Sequence, residues 1–202
     1  MSAAVNPTEI SRPAGGRHPL GRTPAAAIPG PTPPLEPLPD NVLADIVAGL
    51  AEATPLWSAA VRHGPDGRRP VRLIATDRYE VWVIGWTTGQ HVRMHDHGGS
   101  AGAFVVTSGE LSEVLPDGRG GRVERDLATG RLRHLAVGMV HDVVNRGAEP
   151  ATSVHVYSPP LTHMTYYDDA GAPVETEDVP PELPMLAASA ASRALHPARR
   201  VT

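Results

Sequence analysis

The sequence predicts an all-β fold, a sandwich or barrel of many short strands, on three observations. From Val71 to Tyr167 the chain is a succession of short segments rich in Val, Ile, Leu, Trp and Tyr. Glycine-containing turns separate these segments at close spacing, the pattern of an all-β domain. Near its end, Ser153-Val-His155-Val-Tyr157 alternates strictly between polar and valine positions, the period-two signature of a strand.

The elements follow in order. Residues 1–39 are rich in Pro, Gly and Ala without periodicity and read as a disordered or extended leader. Asp40 then offers an N-cap for a helix. Leu43, Ile46, Val47, Leu50 and Ala51 fall on one stripe of it, and Thr54-Pro55 ends it. Strands are expected at Tyr79–Trp86, Ala103–Thr107, Glu110–Leu115, Leu132–Val137, Val140–Val144 and Thr152–Ser158. Pro116 to Gly121 is a turn. Residues 40–169 therefore form one domain, and 170–202 a Pro/Ala-rich tail in which Pro184–Leu195 could form a loose helix.

Composition narrows the function. The formal net charge is −4, with arginine as the only basic side chain apart from histidine, so no basic field recruits nucleic acid or anionic lipid. There is no cysteine, which excludes disulfides, thiolate metal sites and a cysteine nucleophile. No apolar run approaches the roughly 18 residues that span a bilayer, and a cytoplasmic location is the expectation. Nothing sets the oligomeric state, and a monomer is compatible with the sequence.

The most informative residues are His95 and His97 in Met94-His-Asp-His97. On an extended strand, residues two apart project to the same face, so both imidazoles could reach one metal ion. His141 is a candidate third ligand. Three neutral imidazoles leave coordination positions open, unlike a closed structural zinc site, and imidazole suits Fe, Zn, Cu and Ni alike.

Gly89, His95, His97 and Gly109, followed by Gly130, Gly138, His141 and Asn145, resemble the two-part signature of the cupin superfamily, a small double-sheet, jelly-roll-like β-barrel. The chain departs from that signature at Ala136, where proline is usual, and at Gly102, where a glutamate ligand is usual. The Ser153-Val-His155-Val-Tyr157 row has two readings. Either the polar side chains face the barrel interior and form a relay, or the valines do and the polar face is solvated.

Together, His95-Asp-His97, His141 with Asn145, and Ser153-Val-His155-Val-Tyr157-Ser-Pro-Pro160 are similar to the cysteine dioxygenase family. The resemblance implies a non-haem Fe(II) enzyme that adds both atoms of O2 to a small carboxylated thiol, first of all L-cysteine, giving the sulfinate. It implies that His95, His97 and His141 hold the iron, and that Ser153, His155 and Tyr157 form a relay beside it. Tyr157 would also contact the substrate, and Ser158-Pro159 would be a cis peptide bond. Some members link a cysteine, where Gly102 stands here, covalently to the matching tyrosine; Gly102 forbids that bond. Arg72 is expected to grip the substrate carboxylate, because a planar guanidinium meets a carboxylate with two hydrogen bonds. Pro70 stands where the family often has a carboxylate-binding tyrosine. Trp86, Ile84 and Met164 read either as walls of the pocket or as simple core. A related branch oxidises 3-mercaptopropionate. Other cupins use Zn or Mn as a Lewis acid in isomerase or lyase chemistry, or simply bind ligands.

Overall fold

The structure, a computed structural model, describes residues 35–180. Helix α1 (Asp40–Glu52) leads into two short 3-10 turns at Thr54–Leu56 and Ser58–Ala60. Eleven strands follow: β1 (Val71–Ala75), β2 (Glu80–Trp86), β3 (His91–His95), β4 (Ala101–Ser108), β5 (Glu110–Pro116), β6 (Arg122–Ala128), β7 (Leu132–Leu135), β8 (His141–Val144), β9 (Ala151–Ser158), β10 (His163–Tyr167) and β11 (Pro173–Asp178). They build two antiparallel sheets, β1-β2-β9-β4-β7 and β11-β10-β3-β8-β5-β6. These two sheets give the all-β fold that the sequence predicts.

Several details differ from the sequence reading. Pro39, not Asp40, occupies the helix N-cap, and its carbonyl accepts from the Val42 and Leu43 amides. Asp40 stands in the first turn, where a carboxylate complements the helix dipole. Strand β6 is almost wholly exposed, so it carries no apolar alternation by which to find it. Strand β11 lies beyond residue 169, within the expected tail, because its backbone completes the ladder of β10 through pairs such as Thr165 with Thr176. The helix expected at Pro184–Leu195 falls outside the described residues.

The central strands β2 and β9 are buried along their whole length. Alternation splits each into two apolar faces. Val81, Val83, Val154 and Val156 face outward and are covered by Leu43 and Val47 of α1. Burying each of those two helix side chains is worth roughly 1.5–3 kcal/mol. Trp82, Ile84, Trp86 and Tyr157 face the other way, with Phe104, into the space between the sheets. The choice between a polar and a valine interior thus has a third answer: both faces of β9 are buried, one under the helix and one in the barrel.

A candidate three-histidine metal centre

His95 ends β3 and is the register partner of His141 at the start of β8, so the ladder itself sets two imidazoles side by side. His97 lies two residues past the end of β3, in the turn to Ser100. Its ring meets that of His95 edge-on, with centroids 4.9 Å apart. One ring nitrogen from each of the three residues lies within 4.8 Å of the others, and all three side chains are buried.

Hydrogen bonding decides which nitrogens are free. The Nδ1–H of His95 donates to the Arg93 carbonyl at 2.9 Å. The Nδ1–H of His141 donates to Glu113 Oε1 at 3.0 Å. Neither acceptor can donate, so each ring carries its proton on Nδ1 and offers the Nε2 lone pair. His97 has no hydrogen-bond partner on either nitrogen among the described residues. Burial, then the neighbouring His141, pushes His95 well below the ordinary histidine range. Burial, then His95 and His141, does the same to His97. Neutral rings with buried, unsatisfied lone pairs form a donor set that fits a divalent transition metal.

Glu113 was not singled out from the sequence. It is fully buried on β5 and holds the His141 ring through one oxygen, while Arg133 Nε donates to the other at 2.7 Å. Burial alone would raise its pKa, but His141 and Arg133 outweigh this and keep the carboxyl below its ordinary value. The negative charge that the cupin pattern places at the position of Gly102 is here supplied one hydrogen bond behind a histidine. A carboxylate in that place orients the ring and raises its basicity. Glu113→Gln keeps the shape and removes the charge. We expect it to weaken metal binding by roughly 10–100-fold, read by competition with a chromophoric chelator.

The Ser153–His155–Tyr157 row faces the same interior. Tyr157 lies against His97 with ring centroids 4.8 Å apart, and His155 stacks on Phe104. Ser153 Oγ is 2.7 Å from His155 Nε2, and His155 Nδ1 is 3.1 Å from the Tyr157 hydroxyl. A fourth member, Trp86, donates its indole N–H to Ser153 Oγ at 2.9 Å. That contact gives the row a direction. With Trp86 donating to its oxygen, Ser153 satisfies its own O–H only by donating to His155 Nε2. His155 then carries its proton on Nδ1 and donates to Tyr157. The Tyr157 hydroxyl is left to donate outward, and burial pushes its pKa up, so it remains protonated.

Gly102 is the register partner of Tyr157. A Cβ there would lie 2.8 Å from the Val156 carbonyl oxygen and 2.9 Å from Tyr157 Cδ1. The glycine is thus required by close approach. Gly102→Ala is expected to cost about 1–3 kcal/mol in a thermal or denaturant melt and to displace the Tyr157 ring, while metal content is unchanged.

A cavity of about 390 Å3 opens onto His95, His141, His155 and Tyr157. Trp86, Ile84 and Met164 line it and also belong to the core packed between the sheets. Arg72 does not line it. Arg72 is buried on β1, ion-paired with Glu80 at 3.3 Å and stacked on Trp82. The arginine that lines the cavity is Arg68, four residues earlier, with its guanidinium 5.2 Å from the Trp86 ring centroid. Nothing local distinguishes the arginines of this segment in sequence, since both lie among neighbours of the same type. Asn145, grouped with the histidines in sequence, instead clamps a turn by donating to the Trp86 and Glu149 carbonyls. Ser158-Pro159 is cis.

Fold and site together define a two-sheet β domain with a three-histidine donor set beside a tyrosine-ended relay. The chain belongs to the cysteine dioxygenase type I family, whose model matches residues 40–170. That membership makes it a thiol dioxygenase by family. Among solved structures it is similar to the protein TT1209 of Thermus thermophilus, with 25% identity over 49% of this chain and 90% of that one and a TM-score of 0.44. It is also similar to a protein with a double-stranded β-helix domain from Klebsiella pneumoniae, with 24% identity, 58% and 93% coverage and a TM-score of 0.48. A sugar phosphate isomerase of the cupin superfamily from Silicibacter pomeroyi matches at 23% identity, with 55% and 77% coverage and a TM-score of 0.43. No helix among the described residues is long and apolar enough to cross a membrane.

Proposed function

We propose that this chain is a non-haem Fe(II) dioxygenase that converts a carboxylated thiol to its sulfinate with O2, with L-cysteine as the first substrate to test. The observation that carries this reading is the convergence of three buried histidines, two of which, His95 and His141, line the cavity that Tyr157 also faces. His95, His97 and His141 would hold the iron through ring nitrogens, with no carboxylate ligand. When bound, the iron supplies the O2 chemistry and a positive charge that favours a thiolate over a thiol.

The protein's own groups supply orientation and a dry site. Tyr157, its hydroxyl turned outward by the Trp86–Ser153–His155 chain, offers one hydrogen bond to the substrate or to an oxygen added to it. Its raised pKa keeps that proton in place at neutral pH. Arg68 takes the part of anion partner that was expected of Arg72. Aromatic and aliphatic walls exclude bulk water from the reacting sulfur.

Oxygen uptake by the iron-loaded protein with a panel of small thiols, with the sulfinate identified by mass, tests the proposal. Uptake matched by a mass gain of two oxygen atoms is expected. No uptake with any thiol, together with stoichiometric zinc and no iron in the purified protein, would favour a Lewis-acid cupin instead.

A further inference from the structure

The cavity offers more than L-cysteine can use. Its volume, about 390 Å3, falls in the range of roughly 300–1,000 Å3 typical of sites for drug-sized ligands. Its walls are apolar and come from both sheets, with Ile84 of β2, Val92 of β3 and Val143 of β8 facing Leu161 and Met164. L-cysteine carries a single methylene between its sulfur and its charged backbone, and would leave most of this surface bare.

Two donors in the cavity wall lack acceptors. Among the described residues, Arg68 makes no hydrogen bond or ion pair, although it is half-buried, lines the cavity and lies over the Trp86 ring. A guanidinium has five N–H donors in a fixed fork, and leaving them unused where water is partly excluded is costly. Burial accordingly disfavours its charge and lowers its pKa. Trp82 also lines the cavity, and its indole N–H is buried with no partner. The acids at the cavity, Glu177 and Asp178, are exposed, and Glu177 accepts the Tyr166 hydroxyl at 3.1 Å. They sit where solvent screens them, so they do not neutralise Arg68 as a buried ion pair would.

We propose that the preferred substrate is a thiol bearing one anionic group and an apolar, aromatic body larger than the side chain of cysteine, with the anion on Arg68 and the body against Ile84, Leu161 and Met164. This rests on the thiol dioxygenase reading and narrows it. Arg68 becomes the specificity-determining residue: it selects for the anion, while the walls select for bulk.

The test uses the iron-loaded full chain. Oxygen uptake is measured with L-cysteine, 3-mercaptopropionate, 2-mercapto-3-phenylpropanoate and the neutral amide of the last. Anaerobic titrations follow the quenching of tryptophan fluorescence, since Trp82 and Trp86 line the cavity. The phenyl-bearing acid is expected to exceed L-cysteine in kcat/KM by at least about tenfold, the discrimination that one or two extra apolar groups provide. Arg68→Gln is expected to raise KM for the acid by about tenfold or more with kcat nearly kept, and to leave the amide unaffected. A higher kcat/KM for L-cysteine than for the phenyl-bearing acid would overturn the proposal. So would an Arg68→Gln variant that weakens acid and amide equally. If no thiol is oxidised but the phenyl-bearing acid still quenches fluorescence through Arg68, the reaction assignment fails and the anionic, apolar seat stands.

Discussion

His97→Leu is expected to abolish metal binding and thiol oxidation, and at the same time to raise the melting temperature of the metal-free protein. The two effects have one origin. His97 is buried with both ring nitrogens unpartnered, so in the absence of a metal it is a desolvated polar group without compensation. Such a group costs about 1–3 kcal/mol, and an apolar side chain of similar size recovers most of that. The same missing partners leave its nitrogens available to an ion. With leucine there, only His95 and His141 remain, and affinity should fall beyond the roughly 100-fold that bounds the loss of a supporting group such as Glu113. Metal analysis after dialysis reads the first effect and a metal-free thermal melt the second. Retention of stoichiometric iron by the variant would sink the three-histidine assignment. A lower metal-free melting temperature would show that His97 is held by contacts other than a metal.

His155→Gln is expected to lower turnover by about 10²-fold or more while thiol binding persists, because a positioned proton donor or acceptor is commonly worth 10²–10⁴. His155 touches neither substrate nor metal in this reading. It fixes which way the Tyr157 hydroxyl points, through Nδ1 at 3.1 Å, and is itself fixed by Ser153 and Trp86. A purely structural role would lower stability at all pH values alike, so the pH dependence of stability separates the two. Burial lowers the folded pKa of His155 to about 3, from an unfolded value near 6.5. The folded state therefore refuses a proton that the unfolded state accepts. Stability from this group is complete above about pH 6.5 and falls as the pH drops toward 3, with a slope of about 1.4 kcal/mol per pH unit. Metal-free wild type should show this acid slope, steepened by His95 and His97, whose pKa values are lowered in the same direction. His155→Gln should lose its share of the slope. A variant with unchanged slope would mean that His155 is not held neutral, and the directed relay would fall with it.

Much of this was readable from residues alone, and for a definite reason. Runs of β-branched and aromatic residues between glycine turns, with period-two alternation in β9, report strands directly, so β2, β4, β5 and β9 could be placed from their own side chains. The spacing of His95, His97 and the more distant His141 carries ligand chemistry in residue type, which needs no geometry to notice. Strands β6 and β11 could not be read this way, because they are exposed on every residue but one and owe their extended form to ladder bonds with β5 and β10.

What the sequence by itself determined is the two-sheet class, the three histidines and the Ser–His–Tyr row, since each is written in local periodicity or in the identity of a few side chains. Only the tertiary structure decided which groups stand behind them. Glu113 reaches His141 because β5 and β8 pair, and Trp86 reaches Ser153 because β2 and β9 do. The choice between Arg68 and Arg72 is of the same kind. One residue type occurs three times within five positions, and the difference in role comes from Glu80, which the β1–β2 pairing brings beside Arg72. A side chain's partner is set by cross-strand register between distant segments, and no local pattern encodes it.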